Sequence, residues 1–264
     1  MAERAAGADD PRLAPLRMRE RQLTTIADRR ADGAAGRFVA EGDLVVERAI
    51  AAGCEPELLL CGDAEAARLE PFVAGSGCTV LVADEAVRRE ATGLGVALGA
   101  IGAFRRPAPR DAREVLATAR RIVVLDRVDN PGNVGAISRT AVALGWDALL
   151  LERTSADPLA RRALRTSMGA ALSLPWARTD DLAGTVAGLV RDGVDVVALD
   201  PDGPLDASAL PAAARRAVVL GAERDGVDAA VAGASTAVAR IPMAPGTDSL
   251  NVAAAAAVAC WLLR

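Results

Sequence analysis

RIVVLDRVDNPGNVGAISRTA, residues 121–141, carries the reading on which the fold turns. Ile122, Val123, Val124 and Leu125 are adjacent apolar residues bounded by charge. A short run of this kind, rich in β-branched side chains, suits a strand covered on both faces, as in a parallel sheet. Asn130-Pro131-Gly132-Asn133 follows as a turn signal, because proline presets φ while glycine and asparagine tolerate left-handed backbone. A helix is expected over 133–145, with Arg139 about two turns into it. Gly135 and Ala136 are small enough for a ligand or a second backbone to approach closely. Ligands of parallel α/β sheets bind beyond the carboxyl ends of strands, so this strand, turn and helix junction is a candidate edge of a site.

Outward from this junction the same alternation continues. Further strands are expected near 147–151, 194–199, 216–221 and 236–241, and helices near 159–165, 180–190 and 250–263. That order indicates an α/β fold with a mainly parallel sheet. Two more loops carry candidate chemistry. In VVLGAERDGV, residues 218–227, a buried strand runs into Gly221 and presents Glu223 just past its end. In IPMAPGTDSLNVAAAAAVACWLLR, residues 241–264, Pro242, Pro245 and Gly246 impose an irregular loop before Asp248 or Ser249 caps a long apolar helix.

Upstream, 14–30 reads as a helix and Arg37–Glu41 as a short strand, with Asp43 an N-cap and Gly53 the close of the next helix. ELLLC at 57–61, a helix near 64–70, TVLVA at 79–83 and the helix DEAVRRE at 84–90 complete a small α/β unit. GLGVALGAIGAF, residues 93–104, superficially suggests a dinucleotide-binding glycine loop and hence a nicotinamide-dependent oxidoreductase. Its spacing departs from G-x-G-x-x-G and no buried strand precedes it, so a strand closing the first domain is the better reading. RRPAPRD at 105–111 carries two prolines and reads as a linker, dividing the chain into domains 1–106 and 107–264.

Composition narrows the chemistry. The 264 residues include no histidine, which excludes every mechanism that needs an imidazole base. Cys54, Cys61, Cys78 and Cys260 form no CxxC pair, so no metal site is expected and buried, reduced thiols are. Every basic residue is arginine, a bias that genomic base composition accounts for as well as phosphate recognition, which its planar fork suits. A net charge of −4 confines any nucleic-acid contact to local patches. One candidate patch is 11–37, where Arg12, Arg17, Arg19, Arg21, Arg29, Arg30 and Arg37 outnumber Glu20, Asp28 and Asp32; a solvated helix face is the alternative. No apolar stretch reads as membrane-spanning, and the first residues lack the pattern of a secretory signal, so a cytoplasmic protein is expected.

Taken together and in this order, the three loops of 126–141, 218–227 and 241–264, with RTSMGA at 165–170, resemble the SpoU/TrmH family of RNA ribose 2′-O-methyltransferases. The resemblance covers residues 121–264. It implies a C-terminal trefoil-knotted methyltransferase domain of the SPOUT type, one of the exceptions to unknotted folds. It also implies S-adenosylmethionine as cofactor, held by main-chain groups of Gly221, Ile241 and Leu250 with Met243 and Ser249 lining the same pocket. The family's catalytic positions fall on Asn133, Arg139, Glu223, Ser249 and Asn251. A homodimer through the knotted domain and an rRNA or tRNA substrate, rRNA favoured, are implied as well. Guanidinium resists deprotonation, so Arg139 is read as an orienter of phosphate or hydroxyl, with Glu223 or a phosphate oxygen taking the proton.

Two positions depart from the family pattern. Arg224 stands where glycine is common, which would strain a loop needing positive φ, and Ser138 replaces an often apolar residue. Through FVAEGDLVVERAIAAG and ELLLC, the first domain resembles the ribosomal-protein-like, RNA-binding domain often fused in this family. With 2% aromatic residues and no tyrosine, shape and phosphate contacts suit it better than base stacking. The alternative function is a non-catalytic RNA-binding or ribosome-assembly protein that keeps the fold; a first domain serving only dimerisation is a further alternative.

Overall fold

The computed structural model describes residues 2–23, 36–93 and 95–264. The chain forms two compact units, Met1–Pro109 with Leu159–Ser173, and Arg110–Pro158 with Leu174–Arg264. Segment 159–173 therefore folds with the first unit although both its flanks belong to the second.

The first unit contains strands β1 (Glu3–Arg4), β2 (Arg37–Glu41), β3 (Pro56–Cys61), β4 (Thr79–Val82) and β5 (Ala100–Arg105) in the order β1-β4-β3-β5-β2. β1, β4 and β3 run parallel, while β5 lies antiparallel to both β3 and β2. Helices α1 (Ala14–Arg17), α2 (Glu20–Leu23), α3 (Asp43–Ala51), α4 (Asp63–Val73) and α5 (Glu85–Thr92) complete it. Its core includes Leu13, Leu16, Val39, Leu60, Leu81 and Ile101, with Phe38 stacked on Phe104 at 5.3 Å between centroids.

Four details of this unit differ from the sequence expectations. The helix expected over 14–30 is broken at Met18, whose ψ of 140° is extended, and residues 24–30 lie outside the described residues. Asp43 occupies the first helical position rather than the cap, which Gly42 takes at φ 98°. Residues 95–99 are not strand: Gly93 closes α5 in left-handed backbone and β5 begins only at Ala100. The basic segment is partly neutralised from within, since Arg12 pairs with Glu3 and Asp10, and Arg17 with Asp9. Arg29 and Arg30, and the side chain of Arg21, lie outside the described residues.

Segment 159–173 is held in the first unit by charge. Glu41, 1% exposed in its side chain, receives Arg161 at 2.9 Å and also pairs with Arg165. A buried carboxylate needs such partners, because loss of either cation leaves an uncompensated charge. RTSMGA is thus in part an anchoring sequence: Met168 adopts φ 51° and its carbonyl accepts from Arg48 at 2.7 Å.

The second unit is a seven-stranded, wholly parallel sheet: β6 (Arg121–Leu125), β7 (Ala148–Glu152), β8 (Trp176–Thr179), β9 (Asp195–Leu199), β10 (Leu205–Asp206), β11 (Arg216–Leu220) and β12 (Ala237–Arg240). Their order is β10-β12-β9-β11-β6-β7-β8. The connecting helices are α6 (Ala112–Ala117), α7 (Pro131–Ala143), α8 (Arg161–Ser167, in the first unit), α9 (Leu182–Arg191), α10 (Ala229–Ala234) and α11 (Val252–Leu262). Alternation along β6 shows why the strand reads as an unbroken apolar run. Val123 and Leu125 pack with Ile137 of α7 and Ala256 of α11, whereas Ile122 and Val124 pack with Val186 and Leu189 of α9. Each fully buried aliphatic side chain contributes ~1.5–3 kcal/mol. Among the described residues no helix is long and apolar enough to cross a membrane, and no group of His, Cys, Asp and Glu is arranged to hold a metal ion. Cys61 and Cys260 are buried, Cys54 and Cys78 half-buried, and all four thiols are free.

Candidate cofactor cavity and active site

β12, β9, β11 and β6 are consecutive and parallel, so the loops that follow them emerge at one edge of the sheet. A cavity of about 610 Å³ lies there, within the range of small-molecule sites. Gly221, Ile241, Met243, Ser249 and Leu250 all line it, as do Glu223 and Asn251. Leu199, Ile241, Met243 and Leu250 supply apolar wall, and Asp200, Glu223, Asp225 and Asp248 supply acidic groups.

The glycine at 221 is dictated by its neighbours. Beyond β11 the chain doubles back so tightly that Ala222 and Gly226 exchange both backbone hydrogen bonds, at 3.1 and 3.0 Å. A Cβ on residue 221 would stand 2.0 Å from the carbonyl carbon of Gly226. The left-handed residue of this loop is Gly226, at φ 65°, and Arg224 is not among the positive-φ residues. Arg224 therefore carries no backbone strain, and the departure from the family pattern at this position is tolerated.

At the tip of that loop Glu223 meets the other two. Asn133, in the first turn of α7, donates its Nδ2 to Glu223 Oε1. The Asn251 amide donates to the same oxygen at 3.2 Å and to Asn133 Oδ1 at 3.5 Å. Sequence positions 90 and 28 residues apart thus converge on one carboxylate oxygen of Glu223, a residue that is itself exposed. Asn251 has a second task. Its Oδ1 accepts from Ala253 N at 3.0 Å and so caps α11, the role the sequence reading gave to Asp248 or Ser249. Asn130 caps α7 in the same way, accepting from Gly132 N at 2.9 Å, with Pro131 at the first helical position.

Arg139 stands apart. It is exposed on α7 and, among the described residues, makes no hydrogen bond to Asn133, Glu223 or Asn251. Val142 and Ala143, three and four residues on and hence on the same helical face, are exposed with it. Ser138 is fully buried, and its hydroxyl is satisfied by donating to Val134 O at 2.8 Å.

Sequence reasoning passed over Asp126 and Arg127. Asp126 is 2% exposed and accepts from Asp228 N at 2.6 Å. Arg127, at φ 56°, donates Nε to Asp126 at 3.1 Å and reaches the Gly226 carbonyl at 3.5 Å. The hydrogen bond to Asp126, with the added attraction of Asp228 and Asp225, raises the Arg127 pKa. The available signal was an Asp-Arg pair directly past a buried strand.

Comparisons with known proteins identify the family. The model of the SpoU rRNA methylase family matches residues 120–261. An uncharacterised tRNA/rRNA methyltransferase of Mycobacterium bovis is 39% identical over 96% of this chain and 88% of its own length. A 23S rRNA guanosine 2′-O-methyltransferase of Bacillus subtilis is 35% identical over 57% of this chain and 60% of its own. The solved structure of an AdoMet-bound rRNA methyltransferase from Sinorhizobium meliloti superposes with a TM-score of 0.82 at 25% identity, covering 99% of this chain and 97% of that one. The chain belongs to the SpoU rRNA methylase family.

Proposed function

We propose that this protein methylates a ribose 2′-hydroxyl of rRNA or tRNA, rRNA favoured, with S-adenosylmethionine as methyl donor. The observation that carries the reading is the meeting of Asn133, Glu223 and Asn251 at the rim of a cavity lined by all five positions expected to hold the cofactor. The cavity suits that group, since its apolar walls fit an adenine and its acidic rim suits a cation. Bound S-adenosylmethionine supplies an electrophilic methyl on a sulfonium centre. The chain's own residues would supply position: Leu250 and Ile241 would line the apolar part of the group, while Asn133 and Asn251 hold Glu223 Oε1 and Oε2 would take the hydroxyl proton. Ser249 lies on the same rim. In-line alignment of this kind is the main source of rate in such a transfer.

Arg139 fits a site shared between two copies. It lies on the α7 face that exposes Val142, and α11 exposes Val258, Trp261 and Leu262 at helical spacing. An apolar face of this sort suits a homodimer, which would bring Arg139 to the partner's substrate as an orienter of phosphate. The trefoil knot of α11 and the RNA-binding role of the first unit belong to the same reading. The test is calorimetric titration of S-adenosylmethionine into the wild type and Leu250→Arg, followed by mapping of ribose methylation in RNA treated with active protein. Binding by the wild type alone, with new 2′-O-methyl sites, is expected. A wild type that neither binds nor methylates overturns the reading.

A further inference from the structure

We propose that Asp126 is a positioning residue that fixes the 221–228 wall of the cavity from behind, an inference that rests on reading the cavity as the cofactor site. Three contacts carry it. The Asp126 amide donates to Leu220 O at 2.9 Å, continuing the β6 and β11 pairing to the last residue before the loop. Its carboxylate accepts from Asp228 N at 2.6 Å, at the loop's other end. Its second oxygen holds Arg127, which reaches the carbonyl of Gly226 inside the loop.

The loop is thereby gripped at its start, its turn and its exit by two adjacent residues of a neighbouring strand end. Its inner side carries Gly221, Glu223 and Arg224 into the cavity wall. Neither Asp126 nor Arg127 lines the cavity, so their effect passes through the loop. Arg127 supports the assignment, since an arginine in left-handed backbone is unfavourable unless its surroundings hold it there. With Asp126 as partner the guanidinium is directed at Gly226 rather than at solvent. The Asp228 side chain in turn accepts from Ala230 N at 2.8 Å and starts α10, so the same carboxylate also sets where that helix begins.

The experiment compares wild type, Asp126→Asn and Arg127→Gly. Asparagine keeps the size of the side chain but removes the charge that holds Arg127, and glycine accepts the positive φ while removing the guanidinium. Amide hydrogen exchange is measured on protein without cofactor, and S-adenosylmethionine is then titrated into each form. Exchange at Ala222 and Gly226 about tenfold faster in Asp126→Asn, with Val218–Leu220 unchanged, is expected, and a smaller change of the same kind in Arg127→Gly. Cofactor Kd rises about tenfold in Asp126→Asn while its melting temperature holds within a few degrees. Unchanged exchange overturns the grip on the loop. Faster exchange with wild-type affinity overturns the link to the cofactor. If the wild type does not bind S-adenosylmethionine, the cofactor reading fails, and exchange still decides whether Asp126 holds the loop.

Discussion

The cavity has two walls of opposite construction. Loop 221–228 is closed by a pair of backbone hydrogen bonds between Ala222 and Gly226 and tied to Asp126, Arg127 and Asn133. Loop 241–251 contains one internal backbone hydrogen bond, Thr247 N to Ala244 O at 3.3 Å, and residues 244–251 are all exposed. Pro242 and Pro245 restrict it through φ rather than through partners. One wall is therefore set before any ligand arrives, and the other is free to adjust until Asn251 anchors it at the start of α11. Segments with few buried contacts and exposed backbone open at low free energy, which suits the side through which a ligand enters.

The largest break in this contrast comes from Gly221→Ala. The new methyl meets backbone on the returning strand of the loop, at 2.0 Å from Gly226 C and 2.2 Å from Val227 N, and backbone gives way only by moving the whole turn. Overpacking of this severity costs about 3 kcal/mol, so S-adenosylmethionine affinity falls roughly a hundredfold in calorimetry. Retained affinity would mean that the first wall is no more rigid than the second.

Gly246→Ala tests the second wall at its own special position. Gly246 has φ 82°, but a Cβ there meets nothing within 4 Å. The substitution strains backbone by ~1 kcal/mol without any clash, and a loop with one internal hydrogen bond absorbs the change by shifting. A few-fold rise in cofactor Kd, with the melting temperature nearly constant, is the expected outcome. A loss as large as that at Gly221 would show the second wall to be equally fixed.

The same contrast explains what was legible in the sequence. β6, β7, β9 and β11 announce themselves, because strands buried on both faces must be apolar without a break, and Pro131 and Gly132 mark the start of α7. β8, with only Trp176 and Ala177 apolar, has no such run, and the short α10 was missed for want of length and periodicity. The candidate site residues come from the resemblance, and geometry adds what no spacing encodes. Glu223 is oriented by two asparagines from other loops, and Asn251 rather than Ser249 caps α11. Asp126 and Arg127 escaped notice because their partners are backbone groups of residues 226 and 228, a relation that exists only once β6 and β11 are neighbours. In the first unit, the union of Glu41 with Arg161 and Arg165 spans 120 and 124 positions and was invisible for the same reason.

The smallest expected effect belongs to Arg224, the residue whose sequence context looked most disruptive. Its backbone is not in the positive-φ region, its side chain is exposed, and its loop is held by Asp126, Arg127 and Gly226. Arg224→Gly therefore relieves no strain, and it adds chain entropy to the unfolded state at a cost of ~0.5–1 kcal/mol in stability. Removing a cation from the cavity wall favours a cationic ligand, but two exposed charges several ångströms apart in water interact by only ~0.5 kcal/mol. Calorimetry on Arg224→Gly should find S-adenosylmethionine affinity within about twofold of wild type, on the tighter side, with the difference shrinking in high salt. A tenfold gain would instead place the Arg224 guanidinium inside the ligand's own volume, making this wall selective by charge as well as by shape.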